Sequence, residues 1–96
     1  MNTGLKYYRI QITGIVQGVA FRYYSKKKAD ALGLRGTTEN QKDGSVISYI
    51  IGDKNDARLF IEWCHEGSPA SDVKTVIYKE LASHEDTEYQ DFSILR

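Results

Sequence analysis

The sequence predicts an α+β sandwich, one antiparallel sheet with two helices on one face and a short extra C-terminal strand. Two observations carry that prediction. Helical and strand patterns follow one another in the order β-α-β-β-α-β, and no internal repeat, low-complexity tract or linker divides the 96 residues. The length suits one compact domain over 1–96, and 41% hydrophobic with 27% charged residues is an ordinary globular composition. No apolar run approaches the roughly 20 residues of a membrane-spanning helix.

Each element has its own signature. Leu5 to Thr13 alternates, with Tyr8, Ile10 and Ile12 on one face and Tyr7, Arg9 and Gln11 on the other, the period of a half-buried strand. Gly14 to Ala20 is too broken for a regular element. A helix follows from about Phe21, with Ser25, Ala29 and Leu32 on one face; Gly33 stops it in a left-handed conformation, with Leu34 as the apolar contact beyond. Arg35 to Asn40 reads as a short strand carrying the β-branched Thr37 and Thr38. Lys42-Asp43-Gly44 is a turn signal, and Ser45 to Ile51 completes a hairpin.

Asp53 to Glu66 is the clearest helix, because Ala57, Phe60, Ile61 and Cys64 recur at helical spacing; Gly67 ends it and Trp63 and Leu59 flank the stripe. Val73 to Tyr78 gives a further strand, and the segment around Phe92 and Ile94 a short last one. Right-handed crossovers then favour the ferredoxin-like βαββαβ arrangement. In that topology strands 1 and 2 run parallel, so the loop after strand 1 and the end of strand 2 meet at one edge of the sheet. Arg22 and Asn40 stand at those two places.

Charge narrows the function. The net charge is zero, which argues against a general nucleic-acid binder, whose phosphate contacts need clustered cations. Its distribution is uneven: the chain is net +5 up to Ser48 and −5 from Tyr49 onward, so if an anion binds anywhere, it binds the first half. The second helix begins with Asp53 and Asp56, which offset the positive end of the helix dipole. The first begins with Arg22 and runs into Lys26, Lys27 and Lys28, with no carboxylate before Asp30. A helix start left without acid, preceded by a loop in which Gly14 and Gly18 let backbone N–H groups converge, is a candidate cradle for phosphate-like oxygens. Arg22 at the end of the loop can fork onto two such oxygens. The Lys26–Lys28 run reads as a solvated helix face.

Other groups read blandly. Cys64, the single cysteine, lies on the apolar face of helix 2 and reads as inert core; it excludes an internal disulfide and a multi-cysteine metal site. Met1-Asn2-Thr3-Gly4 carries no basic-then-apolar signal, which predicts a cytoplasmic protein.

Gly14-Ile15-Val16-Gln17-Gly18-Val19-Ala20-Phe21-Arg22 resembles the G-x-V-Q-G-V-x-F-R signature of acylphosphatases, matching at seven positions of nine. The similarity continues through Ala29, Leu32-Gly33-Leu34 and Gly36. Asn40-Gln41-Lys42-Asp43-Gly44-Ser45-Val46 fits the family's N-x-x-D-G-x-V segment, and Ser68-Pro69, Val73 and Phe92-Ser93-Ile94 fit as well. The resemblance implies a single acylphosphatase-like domain that hydrolyses acyl phosphates to carboxylate and inorganic phosphate. It implies that the N–H groups of Gln17, Gly18, Val19, Ala20 and Phe21 bind the phosphoryl group with Arg22, and that Asn40 holds the attacking water through its side-chain amide. Gln17 contributes its backbone in this reading. No metal, no cofactor and no covalent intermediate are expected, and the substrate itself is the expected acceptor of the water's proton. The expected partner is a small-molecule acyl phosphate, with no nucleic acid or membrane and a monomeric chain. Neither His65 nor His84 is needed.

The chain departs from the family pattern at Thr37 and Thr38, where an aromatic residue and a valine are usual. That departure exchanges apolar packing beside Asn40 for two hydroxyls. Two other readings use the same residues: a module that keeps the phosphate cradle without turnover, and an RNA-binding domain on the same topology. Zero net charge and the acidic second half weigh against the latter.

Overall fold

In the computed structural model, which describes residues 5–82 and 89–95, strand β1 spans Leu5–Ile15, two residues past the predicted end at Thr13. It continues because the pairing shifts register between Thr13 and Gly14, leaving Gly14 opposite Val73 and Ile15 opposite Asp72. Gly14 has φ 121°, and a Cβ there would lie 2.3 Å from the Asp72 carbonyl oxygen, so this irregularity needs glycine. Only 16–20 are then free of regular structure, a shorter loop than the predicted one from Gly14.

Helix α1 spans Phe21–Leu32 as expected. Gly33 is left-handed at φ 73°, and the Gly33 and Leu34 N–H groups donate to Asp30 and Ala29 carbonyls at 3.1 and 2.9 Å, closing the last turn. Strand β2 is Arg35–Asn40, as read from the sequence, and β3 is Val46–Asp53. Ser45 belongs to the turn rather than to β3, because its N–H and hydroxyl both donate to Asp43 Oδ1, at 2.9 and 2.7 Å.

Helix α2 spans Lys54–Glu66, one residue later than predicted: Asp53 is its N-cap and accepts from the Asn55 N–H at 2.8 Å. Ala57, Phe60, Ile61 and Cys64 are all buried, as their spacing required. Strand β4, Asp72–Leu81, outruns the predicted Val73–Tyr78, and β5 is Phe92–Leu95. The extra length of β4 carries Lys79 and Glu80, exposed charges that break an apolar pattern but suit a sheet border, where Glu80 pairs with Lys6 at 3.5 Å.

The sheet order is β4-β1-β3-β2-β5. β1 pairs antiparallel with β3 and β4, and β2 pairs antiparallel with β3. The extra strand β5 joins β2 in parallel, so the sheet is mixed at that border rather than wholly antiparallel. β1 and β2 run parallel as predicted, but β3 lies between them. The loop after β1 and the end of β2 therefore meet at one end of the sheet, not at its edge. The register makes this concrete: Ile12 and Asn40 are both opposite Val46.

One face is covered by α1 and α2 over a core that includes Ile10, Ile12, Val46, Ile50, Phe60 and Phe92. The opposite face is not bare. Tyr7, predicted on the solvent side, is only 8% exposed, because the rings of Tyr49 and Tyr89 close over it at 6.1 and 6.4 Å and the Tyr7 and Tyr89 hydroxyls are 3.2 Å apart. No described helix is long and apolar enough to cross a membrane.

Candidate active site

A cleft of about 210 Å³ lies where α1 begins and β2 ends. Arg22 and Asn40 both line it, from sequence positions brought together only by the parallel β1–α1–β2 crossover. Of the predicted loop residues, Gly18, Ala20 and Phe21 also line the cleft; Gln17 and Val19 do not. Val16, Tyr23 and Ile94 complete the wall. Ile94 was not among the expected site residues, since β5 reaches the site only through its pairing with β2.

Asn40 shares a face with the buried Val46 opposite it, so its side chain is on the helix-covered side of the sheet. Its Oδ1 is buried and has no hydrogen-bond partner among the described residues. Such an oxygen costs about 1–3 kcal/mol when left unpaired, so its retention calls for an explanation in function.

The loop offers donors. The Tyr24 N–H, which reaches the Ala20 carbonyl at 3.1 Å, is the first amide of α1 with a backbone acceptor. The N–H groups ahead of it have none among the described residues. Gly18 has φ 77°, and Ala20, the only described non-glycine residue with positive φ, has φ 63° and ψ 24°. A left-handed Ala20 followed by a right-handed Phe21 is the alternation that turns successive N–H groups to the same side. It is also strained, by about 1–2 kcal/mol for a residue with a Cβ. From the sequence Ala20 was expected to lend only its N–H to the cradle, with no special backbone conformation, because Gly14 and Gly18 ahead of it were the visible signal.

The surroundings hold this loop in place. The Ser68 hydroxyl donates to the Val19 carbonyl at 2.8 Å, and Phe21 is buried with its ring 5.3 Å from Trp63. Gln17 does more than lend its backbone: its Nε2 donates to the carbonyls of Gln41 at 2.7 Å and Ser45 at 2.9 Å. Arg22 Nη1 donates to the Leu95 carbonyl at 2.9 Å, which tethers the guanidinium to β5.

No acidic residue stands in the first turn of α1. Lys26 is engaged elsewhere, at 2.8 Å from the Phe92 carbonyl and 3.3 Å from Asp30, and Lys27 lies over the Tyr23 ring at 5.8 Å. Among the described residues Arg22 is therefore the only formal charge in the cleft wall. In the turn after β2, the Asp43 carboxyl is held below its ordinary pKa by the hydroxyl and N–H of Ser45, which stabilise the ionised form.

The two threonines divide between faces. Thr38, on the Asn40 face, is fully buried and accepts from the Ser48 hydroxyl at 2.9 Å. Thr37 is on the other face, in a groove that Tyr49 and Tyr89 also line. Only one of the two hydroxyls expected beside Asn40 is on its side of the sheet. His65 is exposed on α2 and lines a different groove, and His84 lies outside the described residues. Among the described residues no three of His, Cys, Asp and Glu gather where a metal ion could be held.

A family model described as acylphosphatase matches residues 8–94. An acylphosphatase of Thermotoga maritima is 39% identical over 90 residues, covering 94% of this chain and 97% of its own. The crystal structure of acylphosphatase from Bacillus subtilis is similar with a TM-score of 0.89 at 37% identity, over 95% of this chain and 99% of that one. An acylphosphatase structure from Coxiella burnetii gives a TM-score of 0.90 at 30% identity, over 97% and 95%.

Proposed function

The chain belongs to the acylphosphatase family, and we propose that it holds the phosphoryl group on loop amides and Arg22 while Asn40 holds the attacking water. The reaction is the hydrolysis of an acyl phosphate, the mixed anhydride of a carboxylic acid and phosphate, to carboxylate and inorganic phosphate. The observation that carries the residue-level reading is the buried, unpartnered Oδ1 of Asn40 in the same cleft as Arg22. An amide oxygen accepts a hydrogen bond from water, and water so held is oriented with a lone pair free for phosphorus.

The chemistry asks little more of the protein. The water oxygen bonds to phosphorus as the bond from phosphorus to the acyl oxygen breaks, and the leaving carboxylate is stable at neutral pH without a general acid. The water's proton passes to a phosphoryl oxygen of the substrate. What remains is positioning and the stabilisation of charge on the phosphoryl oxygens, the main contributions in phosphoryl transfer. The N–H groups of Gln17, Gly18, Val19, Ala20 and Phe21 and the guanidinium of Arg22 would meet that charge, the latter already aimed by its bond to Leu95. In this reading the enzyme works as a cytoplasmic monomer on a small molecule, without metal, cofactor, nucleic acid or membrane. Its zero net charge supports the exclusion of nucleic acid.

The test is hydrolysis of a simple aromatic acyl phosphate, followed by absorbance with a chelator present. Arg22→Ala and Asn40→Ala should each lose at least about 10²-fold in kcat/KM, the scale of removing one preorganised donor, with circular dichroism unchanged. Full activity in folded Asn40→Ala would remove the proposed water site.

A further inference from the structure

Two pieces of the cleft are built independently. The 16–20 loop is fixed by the pairing of Gly14 and Ile15 with β4, by the bond from Ser68 to the Val19 carbonyl, and by the start of α1. The turn that follows Asn40 is fixed by its own bonds: Gln41 N–H to the Ser45 carbonyl at 2.8 Å, Gly44 N–H to the Gln41 carbonyl at 3.1 Å, and Ser45 to Asp43. Among the described residues the only hydrogen bonds joining the two pieces come from Gln17, whose Nε2 spans the carbonyls of Gln41 and Ser45.

We propose that the Gln17 side chain is a positioning residue for hydrolysis, a clasp that fixes the separation between the phosphate loop and Asn40 and so governs turnover rather than substrate binding. The proposal rests on the reading of Asn40 as the residue that holds the water. In-line attack needs the water oxygen roughly 3–3.5 Å from phosphorus, and a misplacement of about 1 Å costs on the order of 10²-fold. The phosphorus sits where the loop puts it and the water where Asn40 puts it. The sheet sets the coarse spacing, with Ile12 and Asn40 both opposite Val46, and the tie between the loop and the β2–β3 turn sets its final adjustment.

The chemistry of the clasp explains why it is glutamine. Both carbonyl oxygens already accept a backbone N–H within the turn, so the clasp uses their second lone pairs, and bridging the two takes two donors on one atom and no charge. Methionine has similar length and no donor. Ionised glutamate offers none and sets a negative charge against two carbonyl oxygens, whereas protonated glutamate offers one O–H.

The experiment measures kcat, KM and competitive inhibition by inorganic phosphate for Gln17→Met and Gln17→Glu, with Asn40→Ala and the Gln17→Met/Asn40→Ala double variant alongside. For Gln17→Met, kcat should fall about 10- to 100-fold while the inhibition constant for inorganic phosphate stays within about threefold. For Gln17→Glu, kcat relative to the unsubstituted enzyme should rise as pH falls and the carboxyl takes up its proton, a recovery that a purely structural role would not produce. The double variant should be no slower than Asn40→Ala alone, because the clasp acts through Asn40.

Unchanged kcat in Gln17→Met, parallel loss of phosphate binding, or a Gln17→Glu deficit that does not vary with pH would each overturn the proposal. Losses that multiply in the double variant would overturn it while leaving the role of Asn40 intact. Full turnover in Asn40→Ala would sink both. If Gln17→Met does not fold, the pH response of Gln17→Glu decides alone.

Discussion

Thr38 and Ser48 show what a single hydroxyl can cost and recover. They lie opposite each other on β2 and β3, both fully buried, and the Ser48 hydroxyl donates to Thr38 at 2.9 Å. A departure from the family pattern that looked like lost apolar packing is thus a matched polar pair two residues from Asn40. Replacing Thr38 by valine keeps the volume and strands the Ser48 hydroxyl, so Thr38→Val should destabilise the fold by about 1–3 kcal/mol. Removing both hydroxyls leaves nothing unpaired, and Thr38→Val/Ser48→Ala should return to within about 1 kcal/mol of the starting stability. Urea unfolding of the two single variants and the double reads the coupling directly. Additive losses would mean that the two hydroxyls are satisfied independently.

At the scale of elements, the first turn of α1 carries no acid to offset its dipole, an opening that the proposed phosphate cradle uses. An acid at its third position would complement the helix dipole, and a glutamate there can reach back to the N–H of the capping residue. In this chain the third residue is Tyr23 and the cap is Ala20, whose N–H belongs to the proposed phosphate cradle. Tyr23→Glu should therefore leave unfolding stability within about 1 kcal/mol, its capping gain offsetting the lost ring contacts with Tyr24 and Lys27. The same carboxylate should weaken competitive inhibition by inorganic phosphate at least about 10-fold, whereas Tyr23→Gln should not. Equal inhibition in the two variants would show that the amides of this turn do not face the anion. The missing acid was legible in the sequence, as were both helices and the Arg35–Asn40 strand, because all depend on neighbours within a few residues. The left-handed Ala20 was not, since side-chain identity does not reveal a φ imposed by anchors on either side. Nor was the clasp of Gln17 onto Gln41 and Ser45, or the hold of Leu95 on Arg22: these bonds cross 24, 28 and 73 positions. Local patterns fix elements, but such partners follow only from the sheet order.

The whole molecule carries its protons in an uneven way that sets its alkaline limit. Burial pushes the Cys64 thiol far up, and burial first, then its hydrogen bond with Tyr7, raises the Tyr89 phenol. Tyr8 is raised by burial and then by the nearby Glu80 carboxylate. In each case the folded chain keeps its proton to a higher pH than the unfolded chain does. The unfolded state consequently binds fewer protons once pH passes its own pKa values, and stability falls as pH rises. The contribution is fully present below the unfolded values, about 8.5 for cysteine and about 10 for tyrosine, and is lost progressively above them. Urea midpoints should hold steady from about pH 6 to about pH 8, decline gently above the thiol value and more steeply above the phenol values. Cys64→Ala should lower the midpoint throughout, because it leaves a cavity, yet flatten its slope between about pH 8.5 and about pH 10. Tyr89→Phe should leave that interval unchanged and flatten the slope above it. The cleft proposed as the active site is lined by none of these groups, so kcat measured below the onset of unfolding should not follow the same curve. A midpoint that is level to about pH 11 would mean that the buried thiol and phenols ionise in the folded chain as readily as in the unfolded one.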